Sequence, residues 1–426
     1  MPKAYRLEDA YNNFSSEPIS SPDEFREFYV ERPKPVKSPI STLKISIIHA
    51  KKPEKYLFLG FRGSGKSTEI NRLLNELDDE KFIKIKFSIK DTLDISDFDY
   101  RDFFILLSLQ IYNVVKNQKI KVKDDFLEDF ERFLYDVTHE AEKIEEEEYG
   151  KKKELEGGID IKVLSAKIGS EAATRTVIRR KLATRIGDLI ERTNNLIGEI
   201  ERKTEKRIIV AVDDLDKLTR GEQSEKFFYT NTGLLLQPKC LVIYTFPIPL
   251  AFNPRFENVT GNFSDTFILP QVPVKDRHGR EIKENIDFYR AIVERRMDLS
   301  LIDGAALKEA TLATGKIREF IILLRSSVAI ALANGNEKIT ENDVIEAIEK
   351  LRRNFDRELD KVHIKRLIEI HETKDARSES PDDQITRELL FSLSAVEYED
   401  EEGRWADVNP LLHPLIERWK ESFTKK

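Results

Sequence analysis

The alternation of apolar and polar positions divides the chain into predicted strands and helices. Short apolar runs rich in aromatic or β-branched residues predict strands at Lys55–Leu59, Phe82–Phe87, Arg207–Val212, Cys240–Tyr244 and Thr266–Leu269. The segments between the first three strands show helical spacing instead, with apolar residues three and four positions apart. Strands separated by helices predict an α/β fold built on a parallel sheet.

From Phe288 onward the apolar spacing becomes mainly helical. The predicted helices span 288–299, 304–313, 316–334 and 341–353. Thr340 followed by Asp343 is typical of a capped helix start. From residue 355 the pattern predicts two helices, a hairpin at 396–408 and a last helix from Pro410. We therefore expect a helical lid at 276–354 and a small C-terminal domain at 355–426.

The N-terminal forty residues differ from the rest of the chain in their high proline content. The prolines are Pro2, Pro18, Pro22, Pro33, Pro35 and Pro39. Because proline disfavours helix interiors, this composition predicts an arm at 1–40 that lies over a core at 41–275. Within that core, residues 119–205 form a predicted helical insertion. Its charged part, 119–157, is read as a solvated helical excursion or a mobile loop, and the segment from Gly157 to Val163 as a strand or hairpin.

Composition limits the classes of protein to consider. The chain has 426 residues, of which 40% are hydrophobic and 35% charged, as in a well-solvated globular protein of two or three domains. It has no apolar run of ~20 residues and no signal-like N-terminus, so we expect no membrane partner. Cys240 is the single cysteine, which favours a reducing cytoplasm. The net charge of −7 gives no global nucleic-acid signature, and the scattered histidines make a zinc site improbable.

A glycine-rich loop follows the first predicted strand and opens a helix. It matches G-x-x-x-x-G-K-[ST], a pattern whose backbone amides hold a polyphosphate. The predicted nucleotide-binding residues are Gly60, Arg62, Gly63, Ser64, Gly65, Lys66, Ser67 and Thr68. Lys66 is expected to reach the outer phosphates and the Ser67 hydroxyl to bind Mg²⁺, whereas Arg62 contacts either phosphate or solvent. The sequence therefore predicts that the chain binds a nucleoside triphosphate.

Polar side chains end two later strands of the predicted sheet. Asp213 and Asp214 follow the central strand, and ligands of parallel sheets lie beyond the carboxyl ends of the strands. Asp213 is expected to hold the Mg²⁺ shell and Asp214 to polarise the attacking water. Thr245 ends the next predicted strand, where its side chain contacts the γ-phosphate or the water, or merely terminates the strand.

Together these motifs resemble the AAA+ superfamily, particularly its origin-recognition-like and STAND-type branches. The resemblance rests on Gly60–Thr68 and Val210–Leu218 and covers roughly residues 40–350. It implies a P-loop ATPase that uses ATP and Mg²⁺, with Thr245 as the sensor-1 residue. Gly315–Arg318 looks like the sensor-2 motif, whose arginine, Arg318, approaches the γ-phosphate from the lid. The C-terminal seventy residues look like an appended winged-helix module.

Two further residues matter for catalysis in such a family. Arg255 lies between the sensor strand and the next strand, where AAA+ proteins often carry an arginine finger that acts on a neighbouring subunit. Asp214 stands where many members have glutamate. Since aspartate is one methylene shorter, we expect slow ATP hydrolysis. Members of the STAND branch commonly carry paired aspartates here and behave as switches.

Charge patterning bears on partners. The predicted hairpin carries a group of acidic residues, Glu397, Glu399, Asp400, Glu401 and Glu402, with Arg404 the nearby base. Because DNA contact needs basic residues against phosphate, a protein-binding or autoinhibitory module is the better interpretation. The candidate nucleic-acid contacts are two basic clusters that solvated helix faces explain equally well: Lys151–Lys153, and Arg175, Arg179, Arg180, Lys181 and Arg185.

Two functions follow from the resemblance. The first is a nucleotide-dependent conformational or oligomerisation switch, in a setting of prokaryotic defence or mobile elements, with a protein partner at the C-terminal module. The second is an ATP-driven DNA-binding assembly factor similar to replication initiators or loaders. In both, ATP binding is expected to produce a homo-oligomer. A small-substrate kinase lacks the expected arginine-rich lid over the phosphates.

Overall fold

A five-stranded parallel sheet forms the centre of the N-terminal two thirds of the chain. The computed structural model describes residues 2–34, 36–93, 95–149, 171–218, 221–253, 255–377 and 383–424. The strands of the sheet are β1 (Lys55–Gly60), β2 (Phe82–Ser88), β3 (Arg207–Asp213), β4 (Leu241–Pro247) and β5 (Asp265–Ile268). Their order is β2-β3-β4-β1-β5, and each neighbouring pair is parallel. The predicted α/β parallel-sheet fold is confirmed.

Helices cover the sheet and form most of the rest of the chain. Those up to the end of β3 are α1 (Leu7–Asn13), α2 (Pro22–Phe28), α3 (Ile40–His49), α4 (Lys66–Glu76), α5 (Ile89–Thr92), α6 (Tyr100–Asn117), α7 (Asp124–Tyr149) and α8 (Ala172–Thr204). Those that follow are α9 (Gly221–Glu225), α10 (Thr232–Leu235), α11 (Phe256–Thr260), α12 (Lys283–Arg296), α13 (Gly304–Leu312), α14 (Ile317–Ala333), α15 (Glu341–Asp356), α16 (Lys361–Thr373), α17 (Gln384–Phe391) and α18 (His413–Thr424). Within the described residues, every helix is too short or too polar to cross a lipid bilayer.

The three central strands, β1, β3 and β4, are buried on both faces because they are apolar at nearly every position. Along β1, Leu57 and Leu59 join one apolar cluster with α6 and α8, whereas Tyr56 and Phe58 join another with α3 and α4. This assignment follows the two-residue period of a strand, which sends successive side chains to opposite faces. The result is a three-layer core in which the carboxyl ends of the strands share one edge.

The predicted lid is a bundle of α12 to α15, and the N-terminal arm packs against it. Ala10 and Phe14 of the arm are fully buried in the same apolar cluster as the lid helices. Two backbone hydrogen bonds fix the start of the arm, from Ala4 N to Arg296 O at 2.9 Å and from Asp298 N to Ala4 O at 2.8 Å. The proline-rich arm is therefore ordered through contacts with the lid, although residues 2–34 and 36–39 contain only two short helices.

The C-terminal part combines α16, α17 and α18 with an antiparallel hairpin of β6 (Ala395–Asp400) and β7 (Gly403–Val408). Its apolar residues continue the main core, since Leu390 and Ile416 belong to the same cluster as Leu250. Arg277, at the start of the lid segment, binds the hairpin tip through Asp400 at 2.5 and 3.0 Å. One of the acidic residues at the hairpin tip is thus paired with an arginine of the same chain.

One sequence-based expectation changes. Thr245 does not end its strand, because β4 continues to Pro247 in register with Gly60. The predicted insertion contains two long helices, α7 and α8, which pack against each other. The strand or hairpin expected after Gly157, and the basic cluster Lys151–Lys153, lie outside the described residues. The domain boundaries stay predictions.

Candidate functional site

A cavity of about 450 Å³ lies at the carboxyl edge of the sheet. Its walls come from the glycine-rich loop, the ends of β2 and β3, the N-terminal arm and the lid helices α12 and α14. Predicted site residues that line it are Arg62, Gly63, Ser64, Gly65, Lys66, Ser67, Thr68, Asp213, Asp214 and Arg318. The volume suits a small-molecule ligand the size of a nucleotide.

The glycine-rich loop adopts backbone geometry that only glycine takes without strain. Gly63 has φ +80° and Gly65 has φ +98°, both in the left-handed region. A Cβ atom on Gly60 would lie 2.9 Å from Ser64 Oγ and 3.2 Å from the carbonyl oxygen of Leu269. The three glycines therefore let the loop curl tightly between β1 and α4.

The loop leads directly into the N-terminus of α4. Gly65 precedes the helix and supplies no side-chain cap, so the first amides of α4 are available to a ligand. Lys66, Ser67 and Thr68 form this first turn, and all three line the cavity. Free amides and the positive end of the helix dipole favour an anion, as the sequence predicted for a polyphosphate.

Lys66 is buried and fully engaged within the loop region. Its ammonium donates to the carbonyl oxygens of Gly60 at 2.6 Å and Phe61 at 2.8 Å. It also forms a salt bridge of 2.9 Å with Asp216 Oδ2, and both side chains are only 5% exposed. Asp216 follows the predicted aspartate pair by two residues and had no assigned role from sequence. Its position two residues after Asp214 was the one sequence feature that could have suggested a role for Asp216 in the site.

Three buried carboxylates lie at and just after the end of β3, and each forms an ion pair with a lysine. Oxygen atoms of Asp213, Asp214 and Asp216 lie within 4.8 Å of one another. In addition to the Lys66 salt bridge with Asp216, Lys86 lies 3.0 Å from Asp213 Oδ2, and Lys217 forms an ion pair with Asp214 Oδ1.

The donor atoms of this cluster fit a Mg²⁺ ion. Carboxylate and hydroxyl oxygens are the hard ligands that Mg²⁺ prefers. The carboxylates of Asp213, Asp214 and Asp216 supply several such oxygens, and Ser67 lines the same cavity. The residues predicted as metal ligands, Ser67 and Asp213, are therefore brought to one site.

The backbone at Asp214 is unusual, and both carboxylate oxygens of this residue are in use. Its φ of +66° puts a non-glycine residue in the left-handed region, which turns the chain sharply after β3. Ser88 donates to Asp214 Oδ2 at 2.7 Å, and Lys217 holds Oδ1. Asp214 thus reaches the cavity with its oxygens already hydrogen-bonded.

The lid contacts the glycine-rich loop through the backbone. The amide of Arg318, in the first turn of α14, donates to the carbonyl oxygen of Gly63 at 3.1 Å. A Cβ atom on Gly63 would lie only 2.9 Å from the Cβ of Arg318. The predicted sensor-2 residue is therefore beside the loop, with its side chain exposed at the cavity.

The N-terminal arm supplies a buried arginine that the sequence motifs do not reveal. Arg32 donates to the carbonyl oxygens of Ser64 and, at 2.6 Å, Pro270. Its Nε lies 3.9 Å from Glu69, and burial lowers the pKa of Arg32. Arg32 therefore connects the arm to the loop. Because it lies about thirty residues before the loop in sequence, the motif does not identify it as a site residue.

A second buried arginine, Arg296, lines the cavity from the lid side. It donates to the carbonyl oxygens of Phe28 and Ile292 at 3.2 and 3.1 Å, while its Nε has no hydrogen-bond partner among the described residues. Burial lowers the pKa of Arg296 to about 10. The apolar part of the cavity wall is formed nearby by Phe288, Ile292 and Ile321.

Two predicted catalytic residues lie outside the cavity lining. The buried Thr245 hydroxyl accepts from Leu215 N at 3.0 Å and donates to Val212 O at 3.2 Å, so it holds the carboxylate turn in position. Arg255 is exposed at the start of α11 and does not line this cavity, so its role as a finger acting in trans stays a prediction.

Arg62 and the described basic cluster are largely satisfied inside the chain. Arg62 donates at 3.4 Å to the carbonyl oxygen of Lys217, and burial lowers its pKa. In the cluster on α8, Arg175 pairs with Asp97 at 3.1 Å and Arg179 with Asp97 at 3.0 Å. These arginines stabilise the packing of α8 against the core, which weakens their assignment to nucleic acid.

Comparison with known proteins gives one family match. Residues 56–243 match the model of the KAP family P-loop domain. This segment runs from β1 to β4 and contains the glycine-rich loop and the three carboxylates. A search of curated protein sequences gives no match.

Solved structures of low identity follow the chain over most of its length. Aeropyrum pernix ORC1 in complex with DNA is 13% identical, with 93% of this chain and 96% of that one covered and a TM-score of 0.42. Aeropyrum pernix ORC2 is 11% identical, with coverage of 92% and 95% and a TM-score of 0.44. The Thermotoga maritima RuvB branch migration motor is 15% identical, with coverage of 94% and 98% and a TM-score of 0.37. Similarity this low carries no argument about function.

Proposed function

We propose that this α/β P-loop NTPase binds ATP with Mg²⁺ and acts as a nucleotide-dependent switch with slow hydrolysis. The observation that carries the proposal is the meeting of three elements at one cavity. These are the glycine-rich loop at the start of α4, the carboxylates beyond β3, and the first turn of the lid helix α14. A loop that binds phosphate beside a lid that contacts it is the arrangement a nucleotide sensor needs.

Different residues of the cavity are proposed to bind the phosphates, the Mg²⁺ ion and the nucleoside of the ligand. Amides of the first turn of α4 and the ammonium of Lys66 are proposed to hold the phosphates, since charge-assisted hydrogen bonds to phosphate are the strong ones. Ser67 and Asp213 would hold Mg²⁺, which neutralises phosphate charge when bound. The apolar wall of Phe288, Ile292 and Ile321 suits the nucleoside end of the ligand.

Slow turnover is supported by the surroundings of Asp214. Its oxygens already accept a hydrogen bond from Ser88 and pair with Lys217, so a water molecule must compete for them. The side chain is also one methylene shorter than a glutamate. We therefore propose that Asp214 is a weak general base. Thr245 would affect the attacking water only indirectly, because its hydroxyl fixes the backbone turn that carries Asp214.

The lid is proposed to transmit nucleotide binding to the C-terminal part. Its Gly315–Glu319 turn contacts the loop at Gly63 on one side and the hairpin region on the other. A Cβ atom on Gly315 would lie 2.5 Å from Tyr398 Oη and 3.1 Å from Pro410. Glu319 accepts a hydrogen bond from Asn409 at 3.1 Å. A shift of this turn therefore changes both contacts together.

The C-terminal part is proposed to be a winged-helix-like module that meets a protein partner. Three helices and a two-stranded hairpin are the components of such a module. The hairpin tip is acidic, and Asp400 and Glu402 bind Arg277 of the same chain at 2.5 and 3.4 Å. A basic protein surface that replaced Arg277 would release the hairpin, which favours an autoinhibitory arrangement.

The alternative of a DNA-binding assembly factor has less support. Arg175 and Arg179 engage Asp97 and Asp102 of the same chain, and the hairpin is acidic. The ORC1 structure was determined in complex with DNA, but its resemblance to this chain is weak. Location in the cytoplasm and a role in prokaryotic defence stay predictions from sequence.

A binding measurement tests the proposed ligand. We expect wild-type protein to bind a fluorescent ATP analogue in the presence of Mg²⁺. Lys66→Ala should weaken binding by about a hundredfold, because a charge-assisted hydrogen bond to phosphate is lost. Lys81→Ala is the matched control, since Lys81 is an exposed lysine outside the cavity. Equal affinity of both variants would overturn the proposal.

A further inference from the structure

Asp216 holds the ammonium of Lys66, the group proposed to bind phosphate. An ammonium has three N–H donors, and those of Lys66 face three acceptors, Gly60 O at 2.6 Å, Phe61 O at 2.8 Å and Asp216 Oδ2 at 2.9 Å. To bind a phosphate, Lys66 must give up at least one of them. The two carbonyl oxygens belong to the loop backbone, so the carboxylate is the partner that a phosphate displaces.

The other two carboxylates do not restrain Lys66 in this way. Asp213 has Lys86 as its partner at 3.0 Å, and Asp214 has Lys217. Asp216 is paired with Lys66, and each of these two side chains is only 5% exposed to solvent. Once Lys66 turns to a phosphate, Asp216 is left as a buried carboxylate beside an anion, which is unfavourable.

A divalent cation changes this balance. The oxygens of Asp216 lie within 4.8 Å of those of Asp214 and of Asp213, which is a proposed ligand of Mg²⁺. A positive ion near this cluster stabilises Asp216 after Lys66 has left it. The penalty imposed by Asp216 on nucleotide binding is therefore large without Mg²⁺ and small with it.

We propose that Asp216 is a positioning residue that holds Lys66 away from phosphate, so that the site accepts a nucleotide together with Mg²⁺ and rejects the free nucleotide. The inference rests on the proposed function, because it concerns the same nucleotide site. It assigns to Asp216, the last of the three clustered aspartates in the sequence, a role in selecting the metal-bound form of the ligand.

Equilibrium binding of a fluorescent ATP analogue with Mg²⁺ and with excess EDTA tests the proposal. In EDTA, Asp216→Asn should bind about tenfold more tightly than wild type, whereas with Mg²⁺ the two should differ by less than about threefold. Asp216→Glu retains the charge and should restore most of the wild-type dependence on Mg²⁺. Asp214→Asn makes the same charge change at a carboxylate paired with Lys217, and it should raise affinity in EDTA less than Asp216→Asn does.

Thermal unfolding without nucleotide separates this role from a merely structural one. Asp216→Asn removes a buried ion pair and should lower the melting temperature while raising affinity in EDTA. A variant that loses both stability and affinity, or equal effects of Asp216→Asn and Asp214→Asn, would overturn the inference. If wild-type protein binds no nucleotide even with Mg²⁺, the proposed function itself fails. If it binds but Asp216→Asn shows no gain in EDTA, only the inference fails.

Discussion

Glu397 on β6 is a half-buried carboxyl whose protonation changes between the unfolded and folded chain. Burial raises its pKa from 4.5 to about 7, Arg404 partly opposes this rise, and Glu399 and Asp375 add to it. Because the folded pKa is the higher one, the protonated carboxyl favours folding. Its contribution is fully present below about pH 4.5 and is lost as the pH rises through about 7.

Replacement of Glu397 by glutamine should remove this dependence. We expect Glu397→Gln to melt at a higher temperature than wild type at about pH 8 and to differ little from it at about pH 4. The control is Glu401→Gln in the turn between β6 and β7, an exposed residue, which should change the melting temperature little at either pH. A wild-type advantage at the higher pH would contradict the burial argument.

At the residue scale, the sequence was enough to select the glycine-rich loop and the aspartate pair as candidate site residues, because local motifs define both. It did not predict Arg32 or Arg296, because they reach the cavity from the arm and from the lid. Such residues become neighbours of the loop only through packing. The roles predicted for Thr245, Arg255 and Arg318 stay predictions.

At the element scale, the loop and the lid helix α14 constrain each other through Gly63. This residue has φ +80°, and an added Cβ would meet the Cβ of Arg318 at 2.9 Å. We expect Gly63→Ala to weaken nucleotide binding and to cost about 1 kcal/mol or more in stability, because it strains the loop and pushes the lid away.

A glycine in a helix provides the control for that change. Gly187 lies exposed within α8, and no atom lies within 4 Å of an added Cβ. Gly187→Ala should therefore stabilise the protein by about 0.5–1 kcal/mol and leave nucleotide binding unchanged. Urea unfolding and fluorescent ATP titration measure both quantities. A similar fall in stability for the two variants would contradict the explanation.

The length of β4 shows why element ends are harder to predict than elements. Pro247 follows an apolar run and reads as a strand terminator, yet the strand includes it. The pairing of β4 with β3 ends at Tyr244, whereas its pairing with β1 continues to Gly60 and Pro247. Beyond Tyr244 the strand is paired on one side only, where a proline is tolerated.

At the scale of the whole molecule, the exposed Arg255 is the best candidate to complete the site of a neighbouring copy. If ATP bridges subunits, light scattering after size-exclusion chromatography should give a larger mass with ATP and Mg²⁺ than without them. Arg255→Ala should reduce ATP hydrolysis at least tenfold, as loss of an arginine finger does. Arg418→Ala removes another exposed arginine and should behave like wild type. A constant monomer mass under both conditions would exclude this assembly.

The apolar pattern predicted a core, a lid and a C-terminal part in that order, and this division stays a prediction. The way these parts dock could not be predicted, since it depends on contacts such as Arg277 with Asp400 and Gly315 with Tyr398. Those pairs are distant in sequence and belong to no motif.

The hydrogen bond from Arg318 N to Gly63 O also makes one backbone amide a reporter of lid opening. Arg318 is in the first turn of α14, where amides have no acceptor within their own helix. Its exchange with deuterated solvent is therefore slowed by the loop contact rather than by the helix. The exchange rate of this single amide records how often the lid leaves the loop.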